Sequence, residues 1–244
     1  MVPRPPLALA DRVGSLAVAD DPLGAFDLIG FATKQQITRM LPEGFSLEGR
    51  RALDFGCGAG RTLRHFLDEA TRAEIWGTDI DGASIEWLLA NLCPPLHVAR
   101  NRTEPPLPFA DRSLDLVWAI SVFTHLTDTW ADWLAELHRT LADDGLLIAT
   151  ILGDSHSRAF AGEPLDEARI GMKVLRAEAS WDEGGPVVLH SERWIREHWG
   201  RGFELLRLEY PPYELAVSDQ RWLLLRKRPG PLTADDLRRP AAAA

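Results

Sequence analysis

A glycine-rich turn after a short apolar segment is the strongest chemical signal in the sequence. The run Asp54-Phe-Gly-Cys-Gly-Ala-Gly60 lets the backbone turn sharply and approach a ligand with no Cβ in the way. The helix predicted after it offers free N–H groups and the positive end of its dipole. A dinucleotide fingerprint has its third glycine three residues after the second, whereas Gly60 follows Gly58 by two. The turn predicts a nucleotide-like ligand, with a bare tight turn as the alternative.

A second acidic residue, Asp79, stands at the end of the next predicted strand, 19 residues beyond Gly60. A carboxylate in this place can accept both hydrogen bonds from a ribose diol, as an acidic residue about 20 residues on does in nucleotide sites. Asp81 is better suited to cap the helix that follows. Asp79 therefore predicts a ribose-binding position, with a solvated loop acid as the alternative.

Alternating strands and helices must position these residues. The apolar periods predict strands over 51–55, 74–78, 96–99, 114–121, 145–152, 203–210 and 221–226. They predict helices over 26–41, 63–70, 81–91, from about 128 to 141, and 191–199. Alternation gives right-handed crossovers and a parallel sheet, while the short last connection makes the final two strands antiparallel. The fold class is α/β, a doubly wound sheet ending in a hairpin.

The chain divides into one domain and three less regular parts. Residues 1–24 are predicted to form a flexible N-terminal arm, residues 25–228 the domain, and residues 229–244 a disordered tail. The stretch over 153–190 is long for a strand-to-helix connection and leaves the carboxyl end of a strand, where open sheets bind ligands. It predicts a lid and acceptor pocket with three candidate apolar lining residues, Phe160, Met172 and Trp181.

Composition excludes several classes of function. The 244 residues include 27 basic and 36 acidic side chains, for a net charge of −9, which disfavours a nucleic-acid partner. No stretch is long and apolar enough for a bilayer, and the N-terminus lacks a signal-peptide core, so a cytoplasmic protein is expected. The two cysteines, Cys57 and Cys93, cannot form a zinc cage. No cluster of His and carboxylates has metal-ligand spacing, so no metal is expected.

Three segments in register resemble the class I S-adenosylmethionine-dependent methyltransferases. They are Asp54-Phe-Gly-Cys-Gly-Ala-Gly60, Trp76-Gly-Thr-Asp-Ile-Asp81 and the run from Pro106 to Leu126. The resemblance covers roughly residues 50–152. It implies a seven-stranded sheet of order 3-2-1-4-5-7-6 with strand 7 antiparallel, and S-adenosyl-L-methionine as the cofactor, with S-adenosyl-L-homocysteine as its product.

The resemblance also implies which residues contact the cofactor. It places the glycines at the methionine part with Asp54 behind them, Asp79 at the ribose hydroxyls, and Ile80 at the adenine. Asn101 would lie by the adenine amine, where many relatives carry Asp, and Ser121 would touch the cofactor through its backbone. The full implied set is Asp54, Gly56, Cys57, Gly58, Gly60, Asp79, Ile80, Asn101 and Ser121.

The acceptor is less closely specified. The segments Val122–Leu126 and Pro105–Phe109 resemble bacterial methyltransferases of glycans and secondary metabolites, which implies a hydroxyl on a sugar-like or natural-product small molecule and a monomer or homodimer. Methylation of nitrogen or carbon and a non-catalytic cofactor-binding relative stay open. An aminopropyl transferase on the same fold is a further alternative, but its additional acidic site residues are not evident. A nicotinamide oxidoreductase would need the longer glycine spacing and a catalytic Tyr/Lys or His/Asp set, and it is disfavoured.

Histidine is the commonest side chain for removing a proton near neutral pH. The candidates must lie at the carboxyl edge of the sheet, which excludes histidines inside or late in helices. His125 and His156 follow strands, and His190 stands just before a predicted helix. We rank the candidate catalytic bases His125 first, His190 second and His156 third.

Overall fold

A seven-stranded sheet forms the centre of the protein in the computed structural model, which describes residues 2–13, 20–167, 171–180, 184–212 and 220–240. Its strands are β1 (Arg51–Phe55), β2 (Glu74–Asp79), β3 (His97–Arg100), β4 (Leu114–Ala119), β5 (Leu141–Leu152), β8 (Phe203–Glu209) and β9 (Gln220–Lys227). Their spatial order is β3-β2-β1-β4-β5-β9-β8. β1 to β5 are parallel, and β9 is antiparallel to both of its neighbours. The predicted order and the single reversed strand are confirmed.

Helices cover both faces of this sheet. They include α1 (Leu7–Ala10), α2 (Pro22–Met40), α3 (Gly82–Asn91) and α4 (Trp130–Thr140). Asp81 caps α3 as predicted, because its carboxylate accepts from the backbone N–H of Ala83. One apolar stripe of α4 is buried in the main core, and it comprises Trp130, Trp133, Leu134 and Leu137. None of the described helices is long and apolar enough to cross a membrane.

The helix predicted over 63–70 is wrong in type. The structure has two short 3₁₀ turns, Leu63–Phe66 and Glu69–Thr71. The apolar period still holds, since Leu63 and Phe66 are buried. However, the Lys34 ammonium donates to the carbonyl of His65 at 2.7 Å, and the backbone N–H of His65 returns to Thr62 only three residues back. These two hydrogen bonds, one from a side chain and one to the residue three positions back, replace the regular hydrogen bonds of an α-helix.

The N-terminal arm is more ordered over its described residues than the sequence indicated. Ala10 of α1 is fully buried and packs with Phe26 of α2 and with Ala59 inside the glycine turn. Arg12 forms two hydrogen bonds to Asp81, at 2.9 and 2.8 Å. Residues 2–13 therefore lie against the glycine turn and the end of β2.

The C-terminal tail is also not disordered in its described part, so that prediction is wrong for residues 229–240. A helix, α7 (Ala234–Arg238), begins at a capping box in which Thr233 and Asp236 exchange side-chain and backbone hydrogen bonds. Leu237 is fully buried in the main core cluster. The hydrogen bonds of the cap and the burial of Leu237 stabilise a helix in a segment whose Pro- and Ala-rich composition had indicated disorder.

The segment after β5 contains regular elements where an irregular connection was predicted. They are α5 (Asp154–Ala161), β6 (Met172–Leu175), β7 (Val187–His190) and then α6 (Glu192–His198), with β6 and β7 forming an antiparallel pair. All four residues of β7 are buried, and the backbone N–H of Val188 donates to the carbonyl of Thr124 at 2.8 Å. β7 thereby ties the segment to the turn after β4.

Candidate active site

The glycine turn and Asp79 meet at the carboxyl edge of the sheet. Asp79 Oδ2 accepts from the backbone N–H of Gly58 at 2.7 Å, and Oδ1 accepts from the N–H of Asp81 at 2.8 Å. Both bonds hold the carboxylate between the turn and the start of α3. Each oxygen keeps a second lone pair that can accept from a hydroxyl.

Two glycines are required by close packing as well as by backbone conformation. Gly56 and Gly60 both have φ of +78°, a region that L side chains rarely adopt. A Cβ on Gly56 would lie 2.5 Å from Val122 Cγ2, and one on Gly60 would lie 2.6 Å from Leu88 Cδ2. The turn is therefore seated directly against the segment after β4 on one side and α3 on the other.

A cavity of about 630 Å³ opens beside Asp79 and includes Ile80 and Asn101 in its lining. The amide of Asn101 donates to the carbonyl of Arg102 at 2.7 Å, while its Oδ1 is buried and has no hydrogen-bond partner. A buried acceptor without a partner costs free energy. This atom is suited to accept a hydrogen bond from an amine of a bound ligand.

Burial strongly shifts the pKa values of the ionisable groups in and around the glycine turn. Burial raises the pKa of Asp54 to about 7 and lowers the pKa of the neighbouring Arg61 to about 10. Burial also raises the pKa of the Cys57 thiol well above its usual range. The Cys57 sulfur faces β2, because a Cβ on Gly77 would lie 2.9 Å from it. Cys57 can therefore offer a ligand its backbone only.

Ser121 follows β4 and has a φ of +62°. Its N–H donates to Thr150 Oγ1 at 2.7 Å, and its Oγ accepts from Gln220 Nε2 at 3.0 Å. Thr150 and Gln220 were missed by sequence reasoning. A polar residue at 150 inside the apolar run of β5 was the one available signal for the first of them.

His125 belongs to the turn after β4 that packs against the glycine turn. It lies three residues after Val122, which packs on Gly56. Its Nδ1 is 2.7 Å from the carbonyl oxygen of Pro186. Because a carbonyl can only accept, Nδ1 carries the proton and Nε2 carries the lone pair. Burial lowers the pKa of His125, so its imidazole is neutral at pH 7.

The structure does not place His190 in the site. Its ring is fully buried and lies 5.2 Å from the ring of Trp194 and 6.1 Å from that of Trp199. The sequence placed His190 just before a helix, but it ends the buried strand β7, which directs the ring inward. Burial, with a smaller contribution from the charge of Arg221, lowers the pKa of His190 to about 3.

Acid is expected to destabilise the folded protein through His190. Its pKa is about 3 in the folded state against 6.5 in a solvated chain, so below pH 6.5 the unfolded state binds the proton first. Stability should fall by about 1.4 kcal/mol per pH unit in this range. Urea unfolding from pH 7 to 5 should show this loss in the wild type and a shallower one in His190→Leu.

The exposed His97 supplies the control for this measurement. His97→Gln should follow the wild-type pH dependence, because that ring is exposed and stacks on Trp76 at the sheet edge. Parallel profiles for wild type and His190→Leu would contradict the assignment of acid sensitivity to His190.

The remaining candidates lie on the segment after β5. His156 is half-buried and stacks on Phe160 at 6.4 Å between ring centres. Phe160 is 45% exposed, Met172 is half-buried, and Trp181 lies outside the described residues. Asp154 accepts from Arg158 and from the N–H of Leu165. Among the described residues, no group of three or more His, Cys, Asp or Glu could hold a metal ion.

The first strand of this doubly wound sheet ends in a glycine turn, which is hydrogen-bonded to an acidic residue at the end of the second strand. These features define an α/β protein that binds a nucleoside cofactor. Residues 53–147 match the family model described as a methyltransferase domain. This part of the chain is a methyltransferase domain, and S-adenosylmethionine is the cofactor that such a domain implies.

Solved structures agree with this fold. A methyltransferase from Mesorhizobium loti has a TM-score of 0.63 at 20% identity, with 82% of this chain and 100% of that chain covered. One from Aquifex aeolicus has a TM-score of 0.57 at 15% identity, with 87% and 97% covered. The glycopeptide N-methyltransferase MtfA has a TM-score of 0.56 at 16% identity, with 82% and 90% covered. No curated protein matches the chain in sequence.

The residues present fit this cofactor. The buried, unpartnered Oδ1 of Asn101 matches the need of an adenine amine for an acceptor, and the Asp79 carboxylate keeps lone pairs for the two ribose hydroxyls. The carboxyl of Asp54 lies buried behind the turn, and its pKa of about 7 leaves it partly ionised at neutral pH.

Proposed function

We propose that the protein transfers a methyl group from S-adenosylmethionine to a hydroxyl oxygen of a small molecule, with His125 as the general base. The observation that carries this proposal is the 2.7 Å contact between His125 Nδ1 and the carbonyl of Pro186. It selects the tautomer whose Nε2 can accept a proton. A hydroxyl must lose its proton to act as a nucleophile, whereas an uncharged amine attacks before losing one.

The cofactor supplies the methyl group, and the chain's residues bind and orient it. We assign the glycine turn to the methionine part, Asp79 to the ribose, and Ile80 and Asn101 to the adenine. Ser121 contributes its backbone at the end of β4. The support is the shared position of these residues along the carboxyl edge of the sheet and the cavity beside Asp79.

His125 acts on the acceptor's proton. Burial lowers the pKa of this histidine, so Nε2 is unprotonated at neutral pH, and the imidazolium formed in each turnover returns its proton to solvent before the next. The Pro186 carbonyl then stabilises the imidazolium that forms, because it accepts from the Nδ1–H. The ring is half-buried, so it can contact an acceptor and also exclude part of the surrounding water.

We assign the segment over 153–190 to the acceptor pocket and its lid. Two contacts support this assignment, since Pro186 holds the base and Val188 bonds to Thr124 beside it. Phe160 and Val174 expose apolar surface on this segment. Exposed apolar surface on the segment that also holds the base suits a sugar-like or natural-product acceptor with a ring.

Matched acceptor pairs test this proposal. The purified protein is given S-adenosylmethionine with a labelled methyl group and small molecules that carry either a hydroxyl or an amine on the same ring, such as phenols with anilines and cyclohexanols with cyclohexylamines. We expect label on the hydroxyl member and S-adenosylhomocysteine in equal amount. Label on the amine members alone would overturn the hydroxyl assignment while leaving the methyl transfer intact.

A further inference from the structure

We infer that Thr150 is a positioning residue for the active site, because its side chain holds the turn after β4 against the glycine turn. The inference rests on the cofactor site proposed above. Thr150 is fully buried on β5.

The hydroxyl of Thr150 accepts a hydrogen bond at the point where the backbone pairing of β4 with β5 ends. The last paired residues are Ala119 and Ala149. Two residues later the chain leaves the ladder, and the N–H of Ser121 donates to Thr150 Oγ1 at 2.7 Å instead of to a strand carbonyl. A side chain thus replaces the backbone acceptor at the point where β4 turns into the site.

Ser121 needs such a contact because its backbone conformation is unfavourable. Its φ of +62° is a region that residues other than glycine adopt only when their surroundings hold them there. Gln220 donates to Ser121 Oγ at 3.0 Å, and Thr124 Oγ1 lies 3.2 Å from the same atom. These contacts fix the side chain of Ser121, whereas Thr150 holds its N–H.

The conformation of Ser121 sets the position of the next residues. Val122 packs where a Cβ of Gly56 would be, with its Cγ2 2.5 Å from that point. The N–H of His125 donates to the carbonyl of Val122 at 2.9 Å, so His125 belongs to the same turn. Loss of the Thr150 contact should shift both Val122 on the cofactor side and His125 on the acceptor side.

Two substitutions of nearly equal size separate the hydroxyl from the packing. Thr150→Val keeps the volume and removes the acceptor of the half-buried Ser121 N–H, so affinity for S-adenosylhomocysteine should fall about tenfold. Thr150→Ser keeps the hydroxyl and should stay within about twofold. Affinity is measured by calorimetry, and folding by thermal melting. The imidazole ¹⁵N signals of His125, which report its tautomer, should change in Thr150→Val and not in Thr150→Ser.

A third variant checks the role of the backbone conformation. Glycine adopts positive φ readily, so in the Ser121→Gly protein the additional change Thr150→Val should cost less affinity than it does alone. Equal losses in both backgrounds, equal impairment by Val and Ser at position 150, or unchanged His125 signals in Thr150→Val would each overturn the inference. If the wild type fails to bind S-adenosylhomocysteine, the proposed cofactor site fails instead, since the His125 signals are read without cofactor.

Discussion

Asp79→Ala is expected to weaken the binding of S-adenosylhomocysteine by about 10- to 150-fold, which corresponds to about 1.5–3 kcal/mol. Two losses add in this variant. The ribose hydroxyls lose their acceptor, and the N–H groups of Gly58 and Asp81 lose the carboxylate that fixes the turn. The binding constant comes from calorimetry on the folded protein.

Asp115→Ala is the matched control for this change. The Asp115 carboxylate also accepts twice, from the backbone N–H of Arg51 and from the Arg50 guanidinium, both at 2.9 Å. These bonds lie at the amino end of β1, away from the site. Thermal melting should show a loss of stability in both variants, while only Asp79→Ala should lose affinity. Equal affinities in the two variants would contradict the ribose assignment.

Features governed by local sequence could be predicted. The glycine turn, the acid at the end of β2 and the Asp81 cap all follow from short-range spacing. The strand order followed from the alternation of strands and helices and from the resemblance. The motif spacings and the alternation of strands and helices both involve residues that are close together in the chain. They can therefore be interpreted without knowing which distant segments pack together.

Features that depend on contacts between distant segments could not be predicted. His190 was ranked as a base from its position before a helix, but its burial depends on Trp194 and Trp199 closing over it. The partnership of Ser121 with Thr150 joins the end of β4 to the middle of β5. For α7, the Thr233 capping signal was present in the sequence, yet the burial of Leu237 that stabilises the helix is a tertiary contact.

His125→Ala is expected to lower kcat for a hydroxyl acceptor by about 10²–10⁴-fold, the usual contribution of a general base, with the affinity for S-adenosylhomocysteine within about twofold of wild type. The base acts on the acceptor's proton and not on the cofactor, so the two readouts should separate. The measurement is single-turnover transfer of the labelled methyl group to the hydroxyl acceptor identified with the matched pairs.

The pH dependence distinguishes a base from a residue that only shapes the pocket. Since burial lowers the pKa of His125 below 6.5, the wild-type rate should be flat around neutrality and fall as acid protonates Nε2. The residual rate of His125→Ala should lack that acidic limb. His156→Ala is the control, because its ring packs on Phe160 and its loss should leave the acidic limb of the rate profile in place.

The methylation rate of an amine acceptor should fall far less than that of a hydroxyl acceptor in His125→Ala, since the amine nitrogen needs no base before attack. Similar losses for both acceptors would assign His125 to positioning, with its ring serving through the bond to Pro186 and not through Nε2.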